Sequence, residues 1–150
     1  MRRTLWFSIV SIAILDHIFK VFAVQRLPDD GSRLRFPVDL ALHKNYGVAF
    51  DLPVPLWIVI PITLLVLLLL IRELRGNVSD TKRTIALGLI CVGAIGNLVD
   101  RIVYGYTVDY LILFGRSAIN LSDLLILAGV FLLLVPKKET KAGAAMHMQD

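Results

Sequence analysis

Two carboxylates fourteen residues apart could share a site in this chain: Asp109, in Val108-Asp109-Tyr110, and Asp123, in Ile119-Asn120-Leu121-Ser122-Asp123. Like charges held close together disfavour each other's ionisation, so one pKa rises and the pair carries a single proton near neutrality. One member can then take a proton from water while the other polarises a carbonyl, which is peptide hydrolysis without a metal. Spacing alone leaves an alternative of equal standing, in which Asp109 is an ordinary surface residue. Asp123 is the sharper case. The segment from Ser117 to Pro136 holds no other charged side chain, and an unpaired charge in hydrocarbon is expensive. Its face-mate Asn120 is neutral, so any partner must come from elsewhere in the fold. A single cysteine, Cys91, excludes a disulfide framework or thiolate metal site, and His17, His43 and His147 are isolated in sequence. No metal and no cofactor is expected.

The elements that must position these groups are membrane helices. Of 150 residues, 57% are hydrophobic and only 19% charged, against about 25% charged in soluble domains. Val54 to Ile71 has no charged side chain over 18 residues, and Thr84 to Val99 none over 16. A hydrocarbon layer of roughly 30 Å takes about 20 helical residues. These patterns predict an all-α membrane protein: one domain, 1–150, with four transmembrane helices at about 5–24, 54–72, 84–104 and 117–136. Met1-Arg2-Arg3 and the apolar run after it mimic a secretory signal, but Asp16 and Lys20 interrupt that run and three further spans follow. An uncleaved first helix is expected. Nine of the 16 basic residues (Arg2, Arg3, Arg72, Arg75, Lys82, Arg83, Lys137, Lys138 and Lys141) fall at the chain ends and the second connection. The positive-inside rule makes that side, with both termini, cytoplasmic. Loops 25–53 and 105–116 then face outward; in the first, Arg26, Arg33, Arg35 and Lys44 are balanced by Asp29, Asp30, Asp39 and Asp51. The small polar tail 137–150 reads as a frayed cytoplasmic end. The net charge of +4 does not indicate a nucleic-acid partner, because the basic groups cap helices instead of forming a stripe.

With this orientation, every ionisable group inside a span lies toward the outer side. Asp16 and Lys20 share a face of the first span. Gly93-Ala94-Ile95-Gly96-Asn97-Leu98-Val99-Asp100-Arg101 ends the third, with Asn97, Asp100 and Arg101 expected on one face. Asn120 and Asp123 are expected one to two turns inside the fourth. Gly93 and Gly96 permit close helix approach. Asp100 or Asp16 answering Arg101 or Lys20 reads better as ion-pair glue than as chemistry. A hairpin over Gly105 to Arg116, lying against the interface, would set Asp109 above Asp123. In Asn45-Tyr46-Gly47-Val48-Ala49-Phe50, Gly47 permits a turn and the aromatics suit the headgroup level; a purely structural interfacial loop remains the alternative. Partial alternation from Arg33 to Leu42 suits short strands.

The combination resembles the lipoprotein signal peptidases, also called type II or prolipoprotein signal peptidases. The likeness rests on Asp16 with Lys20, "NYGVAF", "GAIGNLVDR", "VDY" and "INLSD", in that order, and covers about residues 5–135. It implies an aspartic endopeptidase of the bacterial cytoplasmic membrane, with its active site near the extracytoplasmic face. Such an enzyme removes the signal peptide from diacylglyceryl-modified prolipoproteins, cutting on the N-terminal side of the lipid-modified cysteine. The resemblance puts the catalytic pair on Asp109 and Asp123, with Asp16, Lys20, Asn45, Gly47, Gly93, Asn97, Arg101 and Asn120 in support and Asp100 organising its helix end. The asparagines would donate to peptide carbonyls, and Arg101 would pair with a carboxylate or headgroup. A small extracytoplasmic β-structure, an interfacial helix and action as a monomer are also implied.

Several residues depart from the family pattern: His17 stands where Gln is common, Asp51 where a small residue is usual, Ser122 where Ala is commoner, and Val92 replaces a glycine. The Asp109–Asp123 loop is short. Two other classes stay open. A small polar-lined channel or transport subunit would need its polar path to continue inward, yet Thr63 is the only hydroxyl in Val54 to Ile71, and Leu124 to Val135 has no polar side chain. A non-catalytic membrane scaffold would tolerate amides at both aspartates.

Overall fold

The computed structural model describes residues 2–29, 37–48, 52–76 and 80–136. Asp30, Arg33, Arg35, Phe50, Asp51 and the tail 137–150 lie outside the described residues. The elements run α1 (Arg2–Arg26), β1 (Val38–Asn45), α2 (Leu56–Arg75), α3 (Thr81–Tyr104), β2 (Thr107–Leu113), β3 (Ser117–Ile119) and α4 (Leu121–Leu134). Three helices, α1, α2 and α3, are long and apolar enough to cross a membrane, and α4 is a shorter apolar helix of 14 residues. The fold is thus multi-span and helical with three to four candidate spans and one small sheet.

The fourth helix corrects the expected span. It starts at Leu121, not at 117, because residues 117–119 pair with β2 as a strand. Asn120 is its N-cap: the Asn120 side chain accepts from the Asp123 N–H, and the Asp123 carboxylate accepts from the Asn120 N–H. This reciprocal capping box satisfies two otherwise orphaned donors and fixes where the helix can begin. Asn120 and Asp123 therefore stand at the mouth of α4 and not one to two turns inside it.

Helix α3 organises the bundle. Asp80 caps its start by accepting from the Lys82 N–H, and the Lys82 ammonium donates to the Val135 carbonyl at the end of α4. Gly105, at φ 78°, ends α3 in the left-handed region that favours glycine and aims the chain into β2. Glycine also permits the close α3–α4 packing: a Cβ on Gly93 would collide with the Ser122 carbonyl and Ile126, and one on Gly129 would sit 2.6 Å from the Ala86 carbonyl. This is the small-residue contact typical of membrane helices. In α2, by contrast, only Val59 and Leu67 are buried, while Trp57 and Leu68 are exposed. A helix so apolar on its open faces suits lipid as its surroundings.

The sheet is antiparallel in the order β1-β2-β3. Asn45 faces Thr107 and His43 faces Asp109, with an irregularity between Leu40 and His43. In the 106–110 segment, expected as part of a hairpin against the interface, the chain from Thr107 forms the central strand and is buried through Tyr110. One face puts Val108 and Tyr110 into an apolar cluster with Ala23 and Leu42, and alternation turns Thr107 and Asp109 the other way. Strand β1 overlaps the expected 33–42 from Val38 and runs on to Asn45. Residues 46–48 and 52–55 contain no helix, so an interfacial helix is absent from the described part of that loop.

Candidate active site

Asp109 enters the site from β2 and is 1% exposed. Its Oδ2 accepts from Asn45 Nδ2 at 3.1 Å and its Oδ1 from Asn120 Nδ2 at 2.6 Å. Asn45 is itself fixed, because its Oδ1 accepts from the Gly47 N–H at 3.0 Å. That turn leaves the amide hydrogens pointing at the carboxylate. Asp123 enters from the first turn of α4: Oδ1 accepts from Asn97 Nδ2 at 2.7 Å, and Oδ2 from the Asn120 N–H at 3.2 Å. The two systems join where Asn120 Nδ2 meets Asn97 Oδ1 at 3.1 Å. A continuous path of amides, Asp109–Asn120–Asn97–Asp123, links the carboxylates.

Each of the asparagines expected to donate to a bound peptide thus gives an amide hydrogen to an aspartate. Burial pushes the Asp109 carboxyl up to about 7, with the Asp123 charge as the second cause; the Asn45 and Asn120 donors and the nearby His43 oppose the rise. Desolvation leads here, and like-charge repulsion, the cause expected from the sequence, comes second.

Behind this pair lies a second polar cluster. Lys20, 1% exposed, directs its ammonium to Asp100 Oδ2 at 2.8 Å, Asp16 Oδ2 at 3.1 Å and Asn97 Oδ1 at 3.1 Å. Asp16 also accepts from Ser122 Oγ at 2.5 Å, the Tyr110 hydroxyl at 2.9 Å and the Leu121 N–H at 3.2 Å. Asp100 takes the Val108 N–H at 3.2 Å. Burial first, and then the Asp16 charge, pushes the Tyr110 phenol well above its usual range, so it remains a donor. Of the alternative ion pairs, Lys20 takes both acids. Arg101 does not share the Asp100 face: one residue further along α3, its side chain is directed toward Gly47, whose carbonyl it meets at 3.3 Å, and back onto the Asn97 carbonyl at 3.4 Å. Consecutive helical residues point about 100° apart, which explains the divergence.

A cleft of about 500 Å³ lies beside the carboxylates. His43, Asn45, Asn97, Arg101, Thr107 and Asp123 make its polar end, while Val48, Ala94, Ile126 and Leu127 make an apolar wall. Asp123 faces the cleft. Asp109 is not among the lining residues, although its neighbours Asn45 and Thr107 are, so the two carboxyls differ in their access to the cleft. Gly47 serves through its backbone, and Gly93 through the approach of α4 that sets Asp123 opposite Asn97. Sequence reasoning missed Tyr110, Ser122, Thr107 and His43. A period of two through β1 and β2 would have put His43 with Asn45 and Thr107 with Asp109. Nothing local marked Tyr110 or Ser122 as partners of Asp16.

A family model described as "Signal peptidase (SPase) II" matches residues 8–137. A protein of Syntrophomonas wolfei named lipoprotein signal peptidase is 33% identical over 133 residues, covering 87% of this chain and 89% of its own. Another so named, from Haemophilus ducreyi, is 32% identical over 144 residues and covers 89% of each. A solved structure titled "Bacterial membrane enzyme structure by the in meso method" superposes with a TM-score of 0.77 at 20% identity, covering 91% of this chain and 93% of that one. At that identity the likeness is one of fold.

Proposed function

Because the chain belongs to the signal peptidase II family, a family of bacterial membrane aspartic proteases, we propose that Asp109 and Asp123 are its catalytic dyad and diacylglyceryl-modified prolipoproteins its substrates. The observation that carries this reading is the amide path joining the two carboxylates. Neutral donors orient both acids without fixing their charge, and the pair carries one proton. Asp109, raised to about 7, holds it. Asp123, which faces the cleft, takes a proton from water as the oxygen attacks the scissile carbonyl carbon. Asp109 donates to the carbonyl oxygen; on collapse the C–N bond breaks and the leaving nitrogen, on the lipid-modified cysteine, gains a proton. The dyad recovers its single proton over the cycle, so the two roles exchange.

The lipid chains stay in the bilayer against the apolar wall, where burial supplies about 0.8 kcal/mol per CH₂. The peptide enters from the outer interface. This reading takes residues 1–150 as one four-span domain acting as a monomer, with both termini cytoplasmic and the sheet and active site on the extracytoplasmic side of the inner membrane. For α4, 14 residues give about 21 Å, and the capped helix mouth sets Asp123 within reach of interfacial water. Reporter fusions to the tail would test the sidedness.

Purified Asp109→Asn and Asp123→Asn should each lose about 10²- to 10⁴-fold in cleavage of a diacylglyceryl-modified precursor in micelles. Near-normal turnover by either folded variant would remove the dyad. The unlipidated precursor should be cleaved poorly.

A further inference from the structure

Among the described residues, two buried side-chain polar atoms have no hydrogen-bond partner: Thr107 Oγ1 and Arg101 Nε. Such atoms are rare in a folded chain and ask for an explanation. Both belong to residues that line the same cleft. Thr107 is 2% exposed, so bulk water does not satisfy its hydroxyl. It lies across from Asn45 in the sheet register and two residues before Asp109, on the same face of β2. Every other polar side chain for which bonds have been described around the dyad is engaged: Asn45, Asn97 and Asn120 with carboxylates, and Lys20 with Asp16, Asp100 and Asn97.

We propose that Thr107 is a substrate-binding residue, whose hydroxyl hydrogen-bonds the main chain of the extended precursor peptide beside the scissile bond, with Arg101 Nε donating to a peptide carbonyl in the same cleft. This rests on the proposed proteolytic function and adds a binding group to it. A main-chain contact is common to all precursors, so it contributes to every substrate alike and leaves side-chain preference to the apolar wall. Threonine and valine have the same shape. Thr107→Val therefore deletes only the hydroxyl, and with it a polar atom that the free enzyme buries unpaired. Replacing an unsatisfied buried group by an apolar one of the same shape does not weaken the free fold.

The experiment compares wild type, Thr107→Val and Thr107→Ser in micelles, on two diacylglyceryl-modified precursors that differ in the side chains flanking the cleavage site. Thr107→Val should melt no lower than wild type and lose about five- to tenfold in kcat/KM on both precursors, the scale of one hydrogen bond. Thr107→Ser should recover most of that loss. Full activity of Thr107→Val overturns the proposal. So does an equal loss in the Ser variant, which would assign the effect to the methyl group, or a drop in melting temperature in step with activity, which would make the hydroxyl structural. If wild type leaves the precursors intact, the proteolytic reading fails separately. The hydroxyl is then judged by binding of the same lipopeptides: about five- to tenfold weaker binding by Thr107→Val supports it, and unchanged binding overturns it.

Discussion

Two pairs of aspartates, all but the half-buried Asp123 fully buried, lie within one small volume, and they are treated differently. Asp16 and Asp100 share Lys20, whose ammonium reaches both at 3.1 and 2.8 Å. Asp109 and Asp123 have only asparagine amides and backbone N–H groups as direct donors. An ammonium held between α1 and α3 pins both carboxylates in place, so the first pair is built for position. A neutral amide orients a carboxylate without fixing its charge, so the second pair is left to be completed by a proton. Asn97 connects the two, accepting from Lys20 and donating to Asp123. The structural cluster thus sets the amide orientation on which the reactive one depends.

Removing the cation breaks that comparison most severely. Lys20→Met should leave Asp16 and Asp100 buried together without a countercharge, and breaking a buried ion network in this way costs about 3–5 kcal/mol. Thermal unfolding in micelles should show a large drop in melting temperature, milder at about pH 5 than at about pH 8, because protons can then replace the ammonium. Activity should fall as well, since Asn97 would lose the contact that fixes its amide. A variant as stable as wild type at both pH values would mean that the cluster is not the anchor described.

The proton on the second pair is the next thing to vary. Asp109 has a folded-state pKa raised to about 7 from an ordinary 3.8. The folded state thus binds the proton more tightly than the unfolded chain, so this group's contribution to stability is full below the unfolded value and is lost as pH rises through about 7. Activity follows the same proton: kcat/KM should fall about tenfold per pH unit above a break near 7. A pH profile of cleavage by wild type gives the break, and urea or thermal unfolding of Asp109→Asn should lose the matching slope in stability. A flat profile between about pH 6 and 9 would argue that Asp109 does not carry the proton.

Much of this arrangement was legible in the chain, and the parts that were not share a cause. The apolar runs gave the helices, since burial in lipid needs only length and absence of charge. Asp16 with Lys20 could be paired because both lie on one helix. The start of α4 was misjudged: Ser117-Ala118-Ile119 is as apolar as a helix end, and only pairing with β2, a long-range contact, makes it a strand. The asparagines were legible as polar groups near two acids but not as donors to them. That depends on Gly47 and Lys20 fixing their orientation from distant parts of the chain. Arg101 was grouped with Asp100 on one face, but consecutive helical residues diverge, and its guanidinium meets the Gly47 carbonyl instead.

The smallest test concerns Ser122, where the family resemblance leads one to expect alanine. Its hydroxyl donates to Asp16 at 2.5 Å, and it sits where a Cβ on Gly96 would collide with it. Asp16 keeps three other donors, Lys20, Tyr110 and the Leu121 N–H, so the carboxylate remains satisfied without the serine. Ser122→Ala should therefore cost about 1 kcal/mol, the value of one hydrogen bond to a group that is not left bare. Cleavage should stay within about twofold of wild type, because Ser122 touches the positioning cluster and neither catalytic carboxylate. A loss as large as that of Lys20→Met would show that the Asp16 side of the cluster is as indispensable as its cation. The near-neutral outcome shows that Asp16 is held by its other donors and not by the serine.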